Sequence, residues 1–183
     1  MLKTLSWGLP PEISDLESRP SDEILETSYS LLSDRLDTIL QATGDIVTKL
    51  TASQNAKDLR APKGVEGNGH PMMRPVIQKA VARALQTIVD QELLTFNNVL
   101  QRLAQLQWKI SSPPWTAVFN VDNSKMITAK ENVELLEDMV RVHLAPTSKA
   151  EIARVRKEFK EIRQKQYPIS QEQLEKSIVA TTG

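Results

Sequence analysis

Apolar residues recur at helical spacing along most of this chain. Ile24, Leu25, Leu31, Leu32, Leu36, Ile39 and Leu40 form one stripe, interrupted by the small polar Ser28. Ser21 offers an N-cap oxygen before it, and Asp22 and Glu23 place negative charge where a helix start favours it. A weaker helical pattern follows from Asp45 to about Leu59. Val76, Ile77, Ala80, Val81, Ala84, Leu85, Ile88 and Val89 predict a firm helix opened by Pro75, whose missing N–H has no intrahelical acceptor to lose. Val99, Leu100, Leu103 and Leu106 mark another, over Asn97 to Leu106, stopped by Ser-Ser-Pro-Pro.

The period then changes. Trp115 to Val121 is rich in aromatic and β-branched residues, and Asp122-Asn123-Ser124 separates it from Lys125-Met126-Ile127-Thr128, so this stretch predicts the chain's single hairpin. Helix resumes near Ala129 and runs to Leu144. Ser148 and Glu151 form a capping box before a helix whose inner face is Ile152, Val155, Phe159 and Ile162. Pro168 stops it, and Ser170 with Gln173 opens a short terminal helix. The expected fold is mainly α, with one short β-hairpin and an irregular N-terminal lead-in over residues 1–20. Residues 1–60 form an acidic helical segment, and residues 61–183 a helical domain carrying the hairpin.

Residues 61–75 hold three glycines and three prolines, a density that predicts a loop. The spacing Gly64-x-x-Gly67-x-Gly69 matches neither a Walker loop nor a dinucleotide fingerprint.

Composition narrows the chemistry. The chain has 183 residues and no cysteine, which excludes a disulfide framework, a thiolate nucleophile and cysteine-based zinc, and fits a cytoplasmic chain. No apolar run approaches the ~20 residues that span a bilayer, and no signal-peptide core follows Met1. His70 and His143 lie far apart, and Glu131, Glu134, Glu137 and Asp138 spread round a helix, so no metal or other cofactor is expected. Nor is there a nucleophile elbow or a recognisable acid–base pair, so no catalytic residue is assigned.

Net charge is zero but uneven. Glu12 to Asp45 holds nine acids against two bases, whereas Lys149 to Lys165 holds seven bases against three acids. Lys149, Arg156, Lys160 and Arg163 fall on one helix face, a row able to track phosphates. The competing account is a solubilising face with local pairs, Arg154 with Glu158 and Lys157 with Glu161. Arg74, with His70 and Gln78 at spacings of four, is either an anion anchor or part of a clamp at the helix entry. Trp108 and Trp115 either stack a base or staple the core.

Three clusters carry a resemblance. His70-Pro71-x-x-Arg74-Pro75, then Trp108 with Pro114 and Trp115, then Lys125-Met126-Ile127-Thr128, resemble in order and spacing the C-terminal part of the DndB/DGQHR-domain family, proteins associated with DNA modification. The match covers residues 68–145, and the DGQHR signature itself is absent. The resemblance implies a non-catalytic accessory of a DNA-modification system, with DNA and other proteins of that system as partners and no membrane. Arg74, Arg156, Lys160 and Arg163 are the expected phosphate contacts. A protein-interaction module docking through the acidic helices or the Trp108–Trp115 segment is the alternative.

Overall fold

The computed structural model describes residues 19–52, 59 and 69–166. Among them are six α-helices: α1 (Asp22–Gln41), α2 (Ile46–Ala52), α3 (Pro75–Asp90), α4 (Phe96–Leu103), α5 (Lys130–Leu144) and α6 (Lys149–Gln166). One antiparallel pair joins β1 (Phe119–Asn120) to β2 (Lys125–Met126), with Phe119 opposite Met126 and Asn120 opposite Lys125. The mainly helical fold with a single hairpin is what the periodicity predicts. The glycine-rich loop up to Asn68, the helix beyond Ala52 and the terminal helix after Ser170 lie outside the described residues, apart from Leu59.

The helix starts follow their caps. The Ser21 hydroxyl accepts from the Ile24 N–H at 3.3 Å, and the Thr95 hydroxyl from the Asn98 N–H at 3.4 Å. Ser148 completes only half of its capping box. Its hydroxyl accepts from the Glu151 N–H at 3.2 Å, while the Glu151 carboxylate turns to Arg141 on α5. That exchange ties α6 to α5, and Arg154 adds a 2.6 Å ion pair to Asp138.

α3 is the central element. Ile77, Ala80, Val81, Ala82, Ala84, Leu85 and Ile88 are all buried, on more than one side of the helix. Ala80 and Ala84 are small, so a neighbour can approach closely, and α5 lies alongside with Leu135, Leu136, Met139 and Val140 buried. The two helices run parallel. Arg83 meets Glu137 at 3.7 Å about two turns into each helix, while Val76 and Lys130 line the same groove near their starts. Each fully buried Ile, Leu or Val contributes roughly 1.5–3 kcal/mol.

The hairpin is shorter than its composition suggests. Trp115–Ala117 forms a 3-10 turn rather than strand, and only two residues on each side pair. The turn wins because its carbonyls are claimed by helices. Arg163 on α6 donates to the Thr116 carbonyl at 3.3 Å, and Asn132 on α5 donates to the Ala117 carbonyl at 2.7 Å. Both donors are buried, so these bonds form where water does not compete. The bend beyond β1 is held by the buried Asn120, whose amide oxygen accepts from the Asp122 N–H at 2.8 Å.

The α1 stripe is only partly covered. Ile39 is buried, as is the interrupting Ser28, whereas Leu25 is 38% and Tyr29 74% exposed. Ile39 and Ile46 nevertheless join the same core as α3 and α5. Between α1 and α2, Gly44 sits at φ +70°, and a β-carbon there would meet the Trp108 ring at 3.0 Å. Backbone handedness and that close approach both require glycine.

Candidate nucleic-acid surface and aromatic clamp

The residues carrying the resemblance divide into a buried clamp and an exposed cationic face. In the clamp, His70 lies at the entry to a 3-10 turn (Pro71–Met73), where Pro71 sets the backbone and the imidazole acts as the cap. Its Nδ1 accepts from the Met72 N–H at 3.2 Å, so the neutral ring carries its proton on Nε2. The ring stacks on Trp108 with centroids 5.3 Å apart and planes 15° from parallel. Trp108 in turn stacks on Trp115 at 4.8 Å and 25°. Trp115 is fully buried and donates its Nε1–H to the Gln107 carbonyl at 2.7 Å.

Three aromatic rings therefore join the turn before α3, the segment after α4 and the turn before β1. Of the two roles left open by the sequence, the core staple is the one observed: Trp115 presents no face to a nucleic-acid base, because both it and Trp108 are used inside the protein. Gln78 closes the same entry by donating to the Met72 carbonyl at 2.7 Å. Burial pushes the His70 imidazole down from 6.5 to about 4, against smaller pulls from the Thr43 backbone and Asp45 and with Lys49 adding to the depression. Burial therefore keeps the ring uncharged at neutral pH.

The cationic face lies on α6, where the expected row divides. At about 100° per residue, Lys149, Arg156 and Lys160 fall within roughly 40° of one another. All three are exposed, and no ion pair holds them among the described residues. Arg154 lies well round the helix and Lys157 flanks the strip about 60° from Lys160; they pair with Glu158 at 3.1 Å and Glu161 at 3.8 Å. Both local pairs expected of a solubilising face thus form, and they draw the acids off the Lys149–Arg156–Lys160 strip.

Arg163 leaves the row. It is 7% exposed and bound to the Thr116 carbonyl, so it holds α6 against the aromatic turn instead of meeting solvent. The reason is its position: about 40° round the helix from the buried Phe159, it borders the apolar stripe as closely as the cationic one. A buried carbonyl in reach then decides the matter. Arg74 is half-buried at the start of α3 and already engaged within the chain. Lys125 is exposed on β2 and makes no ion pair among the described residues.

Sequence reasoning missed a further set of cations. Lys79 and Arg83, four apart on α3, stand outside its apolar stripe and border a groove that also holds Thr128 and Lys130. Their i, i+4 spacing was a readable signal. That the end of the first motif, Pro75, would meet the end of the third, Thr128, was not. Among the described residues no three His, Asp or Glu side chains cluster to hold a metal, and no helix is long and apolar enough to cross a membrane. Comparison with protein-family models, curated proteins and solved structures finds no match for the chain.

Proposed function

We propose that this chain is a non-catalytic accessory of a DNA-modification system, working in the cytoplasm and binding duplex DNA through its phosphates. The observation that carries the reading is the strip Lys149–Arg156–Lys160 on α6, exposed and separated from the acids of its own helix. Point charges on flexible stems, spaced along one helix face, suit a phosphate backbone and carry no means of reading bases. The order of the three family-like clusters supports the link to DNA modification, and partner proteins of that system remain part of the reading.

Fluorescence anisotropy on a labelled duplex, repeated over a range of salt concentrations, tests it. Three phosphate contacts give a slope of log K against log salt of about −2.7, with little difference between duplex sequences. An absence of binding at low salt removes DNA from the account.

The exposed Tyr29, with Leu25 one turn before it on the acidic α1, favours a second reading: a protein-interaction module without a nucleic-acid role. Recovery of a modification-system protein by the purified chain, undiminished by nuclease and by loss of the α6 cations, distinguishes that reading.

A further inference from the structure

We infer that the groove between the starts of α3 and α5 binds a phosphate monoester carrying a compact apolar or ring-shaped body. The inference does not depend on the α6 strip. Pro75, Val76, Lys79 and Arg83 line the groove from α3, while Lys130, Val133 and Glu134 line it from α5, with Thr128 just before. Its volume is about 440 Å³, far more than a bare phosphate fills and within the ~300–1,000 Å³ range of small-molecule sites.

The lining has two chemistries. Val76, Val133 and Pro75 supply an apolar strip, and Lys79, Arg83 and Lys130 surround it against a single acid, Glu134. Lys79 has no ion pair among the described residues, Lys130 only a loose 3.6 Å contact with Glu134, and Arg83 only a 3.7 Å contact with Glu137. Burial raises the Glu137 carboxyl above its ordinary value, against the pull of Arg83. The Thr128 side chain, at the exposed approach to α5, adds a neutral donor.

The parallel course of the helices strengthens the field. Both begin at the groove, and neither has a side-chain cap hydrogen bond at its start. The two positive dipole ends lie beside Lys79 and Lys130, with Arg83 about two turns further along α3 and Glu131 as the one acid in the first turn of α5. A monoester, with a charge of about −1.5 to −2 at neutral pH, uses that field better than a carboxylate or a diester. A second open cleft, between α4 and α5, offers no comparable excess. Its Arg102 is bound to the Leu144 carbonyl at 3.2 Å and its His143 to the Met139 carbonyl at 2.6 Å.

Phenyl phosphate is the probe, followed by NMR on the full chain and by calorimetry. The expected result is saturable binding that shifts the amides of Val76, Lys79, Thr128 and Lys130, with inorganic phosphate and phenol each at least about tenfold weaker. Lys79→Glu and, separately, Lys130→Glu each weaken it about tenfold or more without lowering the melting temperature, because both side chains are exposed. Arg156→Ala leaves it unchanged, which separates this groove from the α6 strip. A 5′-phosphorylated dinucleotide that displaces phenyl phosphate, when the unphosphorylated form does not, assigns the ester to a nucleic-acid end. Failure of the dinucleotide to displace it assigns the ester to a small metabolite. No binding of phenyl phosphate, or binding equally tight in both reversal variants, overturns the inference.

Discussion

Trp115→Ala is expected to remove about 3–5 kcal/mol of folding stability, because it empties the bulkiest fully buried side chain among the described residues. Its ring is fully buried, stacked on Trp108, and its Nε1–H satisfies the Gln107 carbonyl. Truncation opens a cavity at the point where α5 and α6 are pinned through Asn132 and Arg163, so loss of the ring loosens both attachments. Total stabilities of domains run to only ~5–15 kcal/mol, so the variant retains a fraction of its margin. Urea unfolding followed by circular dichroism measures this. Trp115→Phe, which keeps a ring and leaves the Gln107 carbonyl without its donor, is expected to cost about 1–3 kcal/mol. Equal stability of Trp115→Ala and wild type would show that the aromatic turn does not organise the fold.

Acid is expected to weaken the fold through His70. The folded ring titrates at about 4 and the unfolded one at the ordinary 6.5, so the unfolded chain takes up the proton first. The contribution is therefore complete above pH 6.5, declines as pH falls toward 4, and is lost below that. A shift of this size corresponds to about 3 kcal/mol. Carboxylates titrate in the lower part of the same window, so the comparison is with His70→Asn. Asparagine can still cap the Pro71–Met73 turn but cannot take up a proton. This variant starts less stable, having lost the stack on Trp108, and then changes less than wild type between pH 6.5 and 4. Parallel pH curves for the two proteins would exclude His70 as the titrating group.

Most of the fold was legible because it depends on local repetition. The stripes of α3 and α5 reach the core as their spacing predicts, and the cap residues Ser21 and Ser148 stand where their helices begin. Some boundaries were not legible. α4 starts at Phe96, one residue before the expected Asn97, and stops at Leu103, short of the expected Leu106. Trp115–Ala117 has strand-like composition but turns, since donors on distant helices claim its carbonyls.

The candidate sites show the same division. Exposure of Arg156 and Lys160 followed from periodicity alone. The fate of Arg163 did not, because a helical wheel places it between two faces and only the Thr116 carbonyl chooses. The stack of His70 on Trp108 needed the α1–α2 turn at Gly44 to approach the same ring, a contact between residues far apart in the chain. Likewise the α3–α5 groove exists because two helices separated by the α4 and hairpin segments run parallel, and no local pattern records that direction.

The α6 strip is proposed to meet DNA phosphates. The most direct measurement is the salt dependence of duplex binding for wild type beside an Arg156→Ala, Lys160→Ala double variant, with melting temperatures recorded for both. Both side chains are exposed and outside the core, so folding is expected to be unaffected. The slope of log K against log salt is expected to fall from about −2.7 to about −0.9, as two of three phosphate contacts are lost. An unchanged slope in the double variant would contradict it.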